Sequence, residues 1–288
     1  MAGYIVYNGF WNGDVPDPVR RLAAAGDRLG VTLSPIPNTA FAAEISRTGG
    51  SGLAAGDLVL CWDKDVRLLR ALEADGVIVQ NSADAVAVCD DKSLTHIALS
   101  RQGLPQPRTM LAPMTYVSYT EAGEAFLQTA AERLGFPLVF KECFGSLGEQ
   151  VYLVADAAEL RARAASMKHR PFVLQEFIAG SAGTDKRLYV VGDRVVAAMR
   201  RHSDGDFRAN IGAGGSGEAY TPTAQEEELA KKACQALGLV FAGVDLLDGP
   251  DGPLICEVNA SAHMAALEAC TGVDVAGEIV QKALAFLR

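Results

Sequence analysis

The sequence predicts an α/β domain with a small parallel sheet over its first ninety residues, followed by a part of the chain that turns through hairpins. Two observations support the first half. Tyr4–Tyr7, Val31–Leu33, Leu58–Cys61 and Val77–Val79 are short apolar runs of strand length. Helical patterns or loop stretches separate them, and such alternation builds βαβ units. The third observation is a pair of turn signals, Gly192-Asp193 and Gly249 to Gly252, each flanked by apolar runs.

Taken in order, Tyr4–Tyr7 is followed by a helix starting near Asp17, with Val19, Leu22, Ala23 and Leu29 on one face. No glycine fingerprint of the dinucleotide-binding type follows Tyr7, so no cofactor is assigned there. Thr48–Gly56, rich in Gly and Ser, reads as a loop. A helix from about Asp91 to Gln102 ends at Gly103, and Leu104-Pro105-Gln106-Pro107 makes a stiff boundary. Beyond it come a helix over Glu121–Leu134, strands over Pro137–Cys143 and Val151–Val154, and a helix opened by a capping box of Asp156 and Glu159. Phe172–Ile178 is a further strand. Leu188–Val191 and Arg194–Met199 flank the Gly192-Asp193 turn, and a glycine-rich loop spans Ser203–Pro222. Thr223 and Glu226 open another helix, a last hairpin covers Val240–Ala260, and two helices close the chain. There are no internal repeats.

Nearly half of the 288 residues are hydrophobic, 49%, which supplies a sizeable core. Residues 1–10 lack a basic stretch followed by an apolar one, and no run approaches a membrane-spanning length, so a soluble, cytoplasmic protein is expected. With 26 basic and 35 acidic residues the net charge is −9, which argues against a non-specific nucleic-acid binder. Six scattered cysteines show no zinc spacing, and most read as small core residues in a reducing compartment.

The last hairpin carries the most chemistry. Alternation places Val244, Leu246, Leu254, Cys256 and Val258 on one face and Asp245, Glu257 and Asn259 on the other. Symmetric pairing about the turn sets Asp245 opposite Glu257, with Cβ atoms about 5 Å apart. An all-oxygen set without His or Cys suits Mg²⁺ shared with phosphates. A merely solvated outer face is the competing account.

Two glycine-rich stretches accompany cations. Lys141 ends a strand before Phe144-Gly145-Ser146-Leu147-Gly148, where glycines let backbone N–H groups approach phosphate oxygens, although no Walker ending is present. Arg208 to Gly217, preceded by Arg200 and Arg201, reads either as a lid over an anion or as a plain surface connection. Gln175-Glu176-Phe177-Ile178 has the character of a segment offering backbone groups to an adenine edge and side chains to a ribose.

In order, Asp91-Lys92, Pro137–Lys141, Val173–Ile178, Gly205–Asn210, Ala242–Leu246 and Glu257–Ser261 resemble the motifs of the ATP-grasp superfamily, specifically its RimK-type glutamate ligases. The resemblance is strong from about Asp91 onward and weaker before it. It implies an α/β and α+β protein: a small parallel α/β domain over 1–90, then the two α+β lobes of an ATP-grasp fold. These are a linker helix and small lobe over 91–173, and a large lobe with the metal site over 174–288. By matching position, Lys92 and Lys141 would contact nucleotide phosphates, with Gln175, Glu176 and Phe177 at the nucleotide and Asp185 near the ribose. Arg208 and Asn210, together with Arg201, would act on phosphate or acyl-phosphate. Asp245, Glu257 and Asn259 would hold Mg²⁺, or alternatively Mn²⁺, as the alternation also suggests.

The implied activity is an ATP-dependent carboxylate–amine ligase working through an acyl-phosphate, adding glutamate or another amino acid to an acceptor that is a small molecule or a protein terminus. No nucleic-acid or membrane partner is implied, and homo-oligomers fit the family. A kinase-like member and a nucleotide sensor without chemistry are the alternatives. One departure stands out: where the family pattern continues with Pro-Gly, this chain has Ala262-His263-Met264. His263 is read either as a substrate contact or as a structural helix-start residue, while His96, His169 and His202 follow no ligand spacing.

Overall fold

The computed structural model describes residues 2–10, 14–43, 50–116, 119, 121–146, 148–211 and 214–286. Thr48-Gly49 of the first expected loop, Leu147 and the Gly212-Ala213 pair lie outside the described residues.

The N-terminal sheet forms from β1 (Gly3–Tyr7), β2 (Leu33–Pro37), β3 (Leu58–Trp62) and β4 (Ile78–Gln80), all parallel in the order β2-β1-β3-β4. Between them run α1 (Asp17–Arg28) and α2 (Val66–Ala74), and after them α3 (Ala83–Asp90) and α4 (Lys92–Arg101). The expected strand at Val31–Leu33 starts only at its last residue and runs on through Pro35 and Pro37, which an edge strand tolerates because one side needs no ladder donor. Leu29 caps α1 and is exposed instead of sharing the buried face of Val19 and Leu22. The α3 helix went unread because it abuts α4, and only their separate caps, Ser82 and Asp91, part the two.

The second sheet is antiparallel, β5-β8-β6-β7, from β5 (Thr109–Leu111), β6 (Leu138–Glu142), β7 (Val151–Val154) and β8 (Phe172–Glu176). One face packs Leu138, Phe140, Phe172 and Leu174 against α5 (Glu124–Leu134) and α6 (Ala157–Met167). The capping box expected at α6 forms only in part, because Asp156 accepts from Ala158 and Glu159 while Glu159 turns to the Ala155 N–H. On the opposite face, Val139, Lys141 and Gln175 are left to line a cleft.

The third sheet is also antiparallel, β11-β10-β9-β12-β13, from β9 (Thr184–Val191), β10 (Arg194–His202), β11 (Ser216–Ala219), β12 (Phe241–Gly249) and β13 (Gly252–Asn259). The expected lobe boundary at 173/174 falls inside β8, which pairs with β5 and β6 through Glu176; the third sheet begins at Thr184. The glycine-rich loop also contributes β11, an edge strand on β10. α7 (Ala224–Leu237) opens with the Thr223–Glu226 capping box and covers one face through Leu188, Val190, Val244 and Leu246.

Tyr189, Val191, Met199 and Phe241, on the other face, join α8 (Ala265–Thr271), α9 (Val275–Ala285) and the N-terminal sheet in one shared core. Trp62 stacks on Phe241 there, centroids 6.0 Å apart. No helix among the described residues is long and apolar enough to cross a membrane.

Asn81 stitches the first and third sheets together. Fully buried, it donates from Nδ2 to the carbonyls of Phe241 (2.9 Å) and Ala260 (3.2 Å) and accepts at Oδ1 from Val240 N–H (2.7 Å). Asn81→Ala leaves those backbone groups buried without partners and is expected to destabilise the protein by about 2–4 kcal/mol. The urea midpoint measures this, and a shift below about 1 kcal/mol would show that the bonds contribute little.

Candidate active site

The cleft lies between the open face of the second sheet and one end of the third. Strand alternation carries the same face of β9, β10 and β12 from apolar residues at the core end to Asp185, Arg187, Arg201 and Asp245 at the cleft end. Arg201 donates from Nε to Asp185 (2.6 Å) and from Nη2 to both Asp185 (2.5 Å) and Asp245 (2.8 Å). Arg187 holds Asp245 with Nε (2.8 Å) and Nη2 (2.7 Å). Burial opposes ionisation of Asp245, but Arg187 and Arg201 overcome it and keep its carboxyl below the usual range. Burial and then the Asp245 charge push Asp185 up. The two arginines and two aspartates cancel in formal charge.

The register pairs Asp245 with Glu257 and Gly243 with Asn259, as the alternation predicts. One detail is corrected. A bulge after Asp245 opposes Leu246 to Ile255, so Ile255 enters the core and Cys256 turns to the cleft, where its Sγ lies 3.7 Å from Lys141 Nζ. Lys141 also donates to the Cys256 carbonyl at 3.5 Å. Lys92, at the first turn of α4, points its Nζ to within 3.7 Å of Glu257 Oε1. Both lysines are buried.

Gln175, Glu176 and Phe177 line the same cleft, yet the two polar side chains are engaged elsewhere. Gln175 Nε2 donates to Thr109 Oγ1 at 2.8 Å and lies 3.2 Å from His96 Nε2. Glu176 accepts from the Arg108 backbone N–H (2.7 Å) and Nε (2.6 Å). With both side chains so engaged, the segment lines the cleft together with the Phe177 ring. Arg208 is paired with Asp206 and reaches across to the carbonyls of Gly148 and Val151, linking the glycine loops of the two sheets. Asn210 stands beside it, close to Gly148.

Every residue predicted for nucleotide contact or for the chemistry lines this cleft except Asn259, which faces an adjoining cavity with Arg187, His263 and Lys64. Lys92, Asn210 and Glu257 line both. A larger concavity of about 620 Å³, between Gly103 and α7, holds none of the predicted residues. Alternation could have revealed Arg187, two residues beyond Asp185. Lys64 carried no signal, because only the fold brings it to Gly145 and Ser146, 3.3 Å from each.

The donor set fits a hard cation. Among the described residues, half-buried Glu257 has only Lys92 as a partner, and the Asn259 amide nitrogen is buried without one. Asp245 already accepts three N–H bonds, leaving about one of a carboxylate's four lone-pair positions. No trio of His, Cys, Asp and Glu among the described residues is arranged to hold a metal, so such a site depends on the Asn259 amide as its third ligand.

A parallel domain followed by two antiparallel sheets, with buried lysines facing carboxylates across their cleft, defines an ATP-grasp ligase. Residues 89–283 match the RimK-like ATP-grasp domain. A probable alpha-L-glutamate ligase of Xanthomonas campestris pv. campestris (strain 8004) is 38% identical over 272 residues, covering 92% of this chain and 87% of its own. Another, from Trichodesmium erythraeum (strain IMS101), is 35% identical over 244 residues, covering 84% and 76%. The RimK domain ATP-grasp protein of Sphaerobacter thermophilus DSM 20745 superposes with a TM-score of 0.77 at 22% identity, covering 98% of this chain and 99% of that one. The ATP-grasp ligase PsnB, solved with a phosphomimetic variant of its minimal precursor, Mg and ADP, gives 0.72 at 20% identity, covering 100% and 99%. The chain belongs to the RimK-like ATP-grasp family and is an ATP-dependent carbon–nitrogen ligase.

His96, buried behind Gln175, supplies a pH test. Burial first, and then the Lys141 charge, lower its pKa from 6.5 to about 4. The folded state therefore binds fewer protons than the unfolded chain between those values, and stability falls as pH drops from 6.5 toward 4. The expected loss between pH 7 and pH 5 is about 2 kcal/mol from this residue. Urea unfolding of the wild type and His96→Gln at both pH values checks it, the variant showing the smaller drop; equal drops would contradict the assignment.

Proposed function

We propose that this ligase joins L-glutamate to a carboxylate-bearing acceptor, with ATP as the activating substrate and Mg²⁺ as the resident cation. The observation that carries the reading is the convergence of Lys92, Lys141, Asp245 and Glu257 on one cleft. The names of the relatives favour glutamate. Three units divide the work: the parallel domain, the small lobe carrying Lys141, and the large lobe carrying Asp245 and Glu257. The free state of all six cysteines agrees with a cytoplasmic setting.

In this mechanism the adenine lies along the backbone of Glu176–Ile178 beside Phe177. Lys92 and Lys141 neutralise the phosphates, and Glu257, Asn259 and Asp245 would hold the cation. The cation, when bound, adds charge stabilisation to the phosphates. Arg208 and Asn210, with Arg201 behind them, bind the transferring phosphoryl group. The acceptor carboxylate oxygen attacks the γ-phosphorus, ADP leaves, and an acyl-phosphate forms. The amine nitrogen then attacks the acyl carbon, the C–O bond to phosphate breaks, and the amide is released after loss of a proton. Positioning and charge suffice, so no nucleophilic Ser or Cys is needed. Closure of the glycine loops, already linked through Arg208, keeps water from the acyl-phosphate.

Asp245→Asn and Glu257→Gln are each expected to reduce ADP release to near background at saturating ATP. Turnover at the wild-type rate in either variant would refute the cation assignment. ADP release that requires an amine cosubstrate separates a ligase from a kinase, and mass spectrometry of the product identifies the amino acid added.

A further inference from the structure

Lys64 stands outside every motif, yet it crosses from one unit of the fold to another. It lies between β3 and α2, at the end of the parallel sheet where β1 and β2 also finish. Its backbone is fixed there on both sides. Asp63 accepts from the Lys64 N–H (2.7 Å) and from the side-chain amides of Asn8 (3.4 Å) and Asn38 (3.3 Å). Asp65 accepts from Asn38 (3.2 Å) and caps α2 through the Leu68 N–H (3.1 Å). From this crest the side chain runs to three oxygens: Asp90 Oδ1 at 2.5 Å, the Gly145 carbonyl at 3.3 Å and Ser146 Oγ at 3.3 Å. An ammonium carries three donors, which matches that number of acceptors.

Gly145 and Ser146 belong to the loop between β6 and β7. Further along the same loop, the Gly148 carbonyl accepts from Arg208 of the third sheet. Gly148 lines the cleft, whereas Gly145 and Ser146 line the second cavity that adjoins it. The loop is therefore the lip between the two spaces, and its position sets how open they are to water. A long lysine side chain loses rotamer freedom when it grips a loop, and the ion pair with Asp90 limits that freedom beforehand. Asp90 ends α3, and two residues on the Lys92 N–H donates to the Cys143 carbonyl (3.0 Å) at the base of the same loop. Lys64 thus extends an anchorage that the backbone begins.

We propose that Lys64 is a positioning residue for the ligase reaction: from the N-terminal domain it holds Gly145 and Ser146, so that the loop stays closed over the acyl-phosphate until the amine attacks. The inference rests on the ligase reading and gives the N-terminal domain a part in it. When the hold is lost, water takes the place of the amine. Its oxygen attacks the acyl carbon, the C–O bond to phosphate breaks, and the carboxylate, inorganic phosphate and a proton are released. ADP then forms without amide.

The test compares Lys64→Met, which keeps the apolar stem, with Lys64→Arg, which keeps the charge and the donors, both in the full chain. With ADP and Mg²⁺ bound, amide hydrogen exchange in the peptide spanning Gly145 and Ser146 is expected to rise about fivefold in Lys64→Met, with α7 unchanged. Lys64→Arg should stay within about twofold of the wild type. With ATP, Mg²⁺ and L-glutamate as both carboxylate and amine, the ratio of ADP released to amide formed should rise about threefold in Lys64→Met and be restored in Lys64→Arg. Unchanged exchange in Lys64→Met overturns the hold on the loop. Faster exchange with an unchanged ratio overturns the shielding of the acyl-phosphate. A merely structural role would speed exchange across the molecule and lower the melting temperature without moving the ratio, and that result overturns the proposal too. A wild type that forms no amide sinks the glutamate reading instead, and the exchange measurement still decides the part played by Lys64.

Discussion

Four side chains, Asp185, Arg201, Asp245 and Arg187, hold the functional end of the third sheet in one arrangement. Each is largely withdrawn from water, where an isolated charge is strongly unfavourable, and each is tolerated only because the others surround it. The network spans β9, β10 and β12, so it also fixes the relative positions of three strands. Asp245 is its pivot, touching Arg201 toward the cleft and Arg187 toward the second cavity. The cost of burying such a group is offset by orientation: the Asp245 carboxylate cannot swing away from Glu257, its partner across the hairpin.

Around this fixed element the second sheet contributes parts that must come to it. Lys141 reaches over to the Cys256 carbonyl, and Arg208 reaches back to Gly148 and Val151. The loop after β6 is held from a third direction by Lys64 of the N-terminal domain. Gly148 adopts φ +77°, and a Cβ there would meet the Asn210 side chain at 3.2 Å. Glycine at that position thus serves both the backbone conformation and the approach of the two loops.

The N-terminal domain is more than an appendage. Its sheet shares a core with α8 and α9, and Asn81 ties it to the backbone on either side of the last hairpin. This explains how Lys64, remote in sequence from every motif, arrives at the cavity wall. It also places the break in the family pattern, Ala262-His263-Met264, where the cavity meets that shared core.

Much was legible in the residues themselves. Alternation along the last hairpin placed Asp245, Glu257 and Asn259 on one face, and the register depends only on side-chain period and the position of the turn. The order of motifs announced the family, and the capping box at Thr223 marked α7. What tertiary structure decided was the use of each polar group. Asp245 lies between two arginines, and Gln175 and Glu176 are engaged by His96, Thr109 and Arg108, partners that no local pattern announced. The bulge at Cys256 turned a core residue toward the cleft. Local sequence sets which way a side chain leaves its strand; its partners are set by the strands and loops brought against it from far along the chain, and hydrogen bonds and ion pairs follow that juxtaposition.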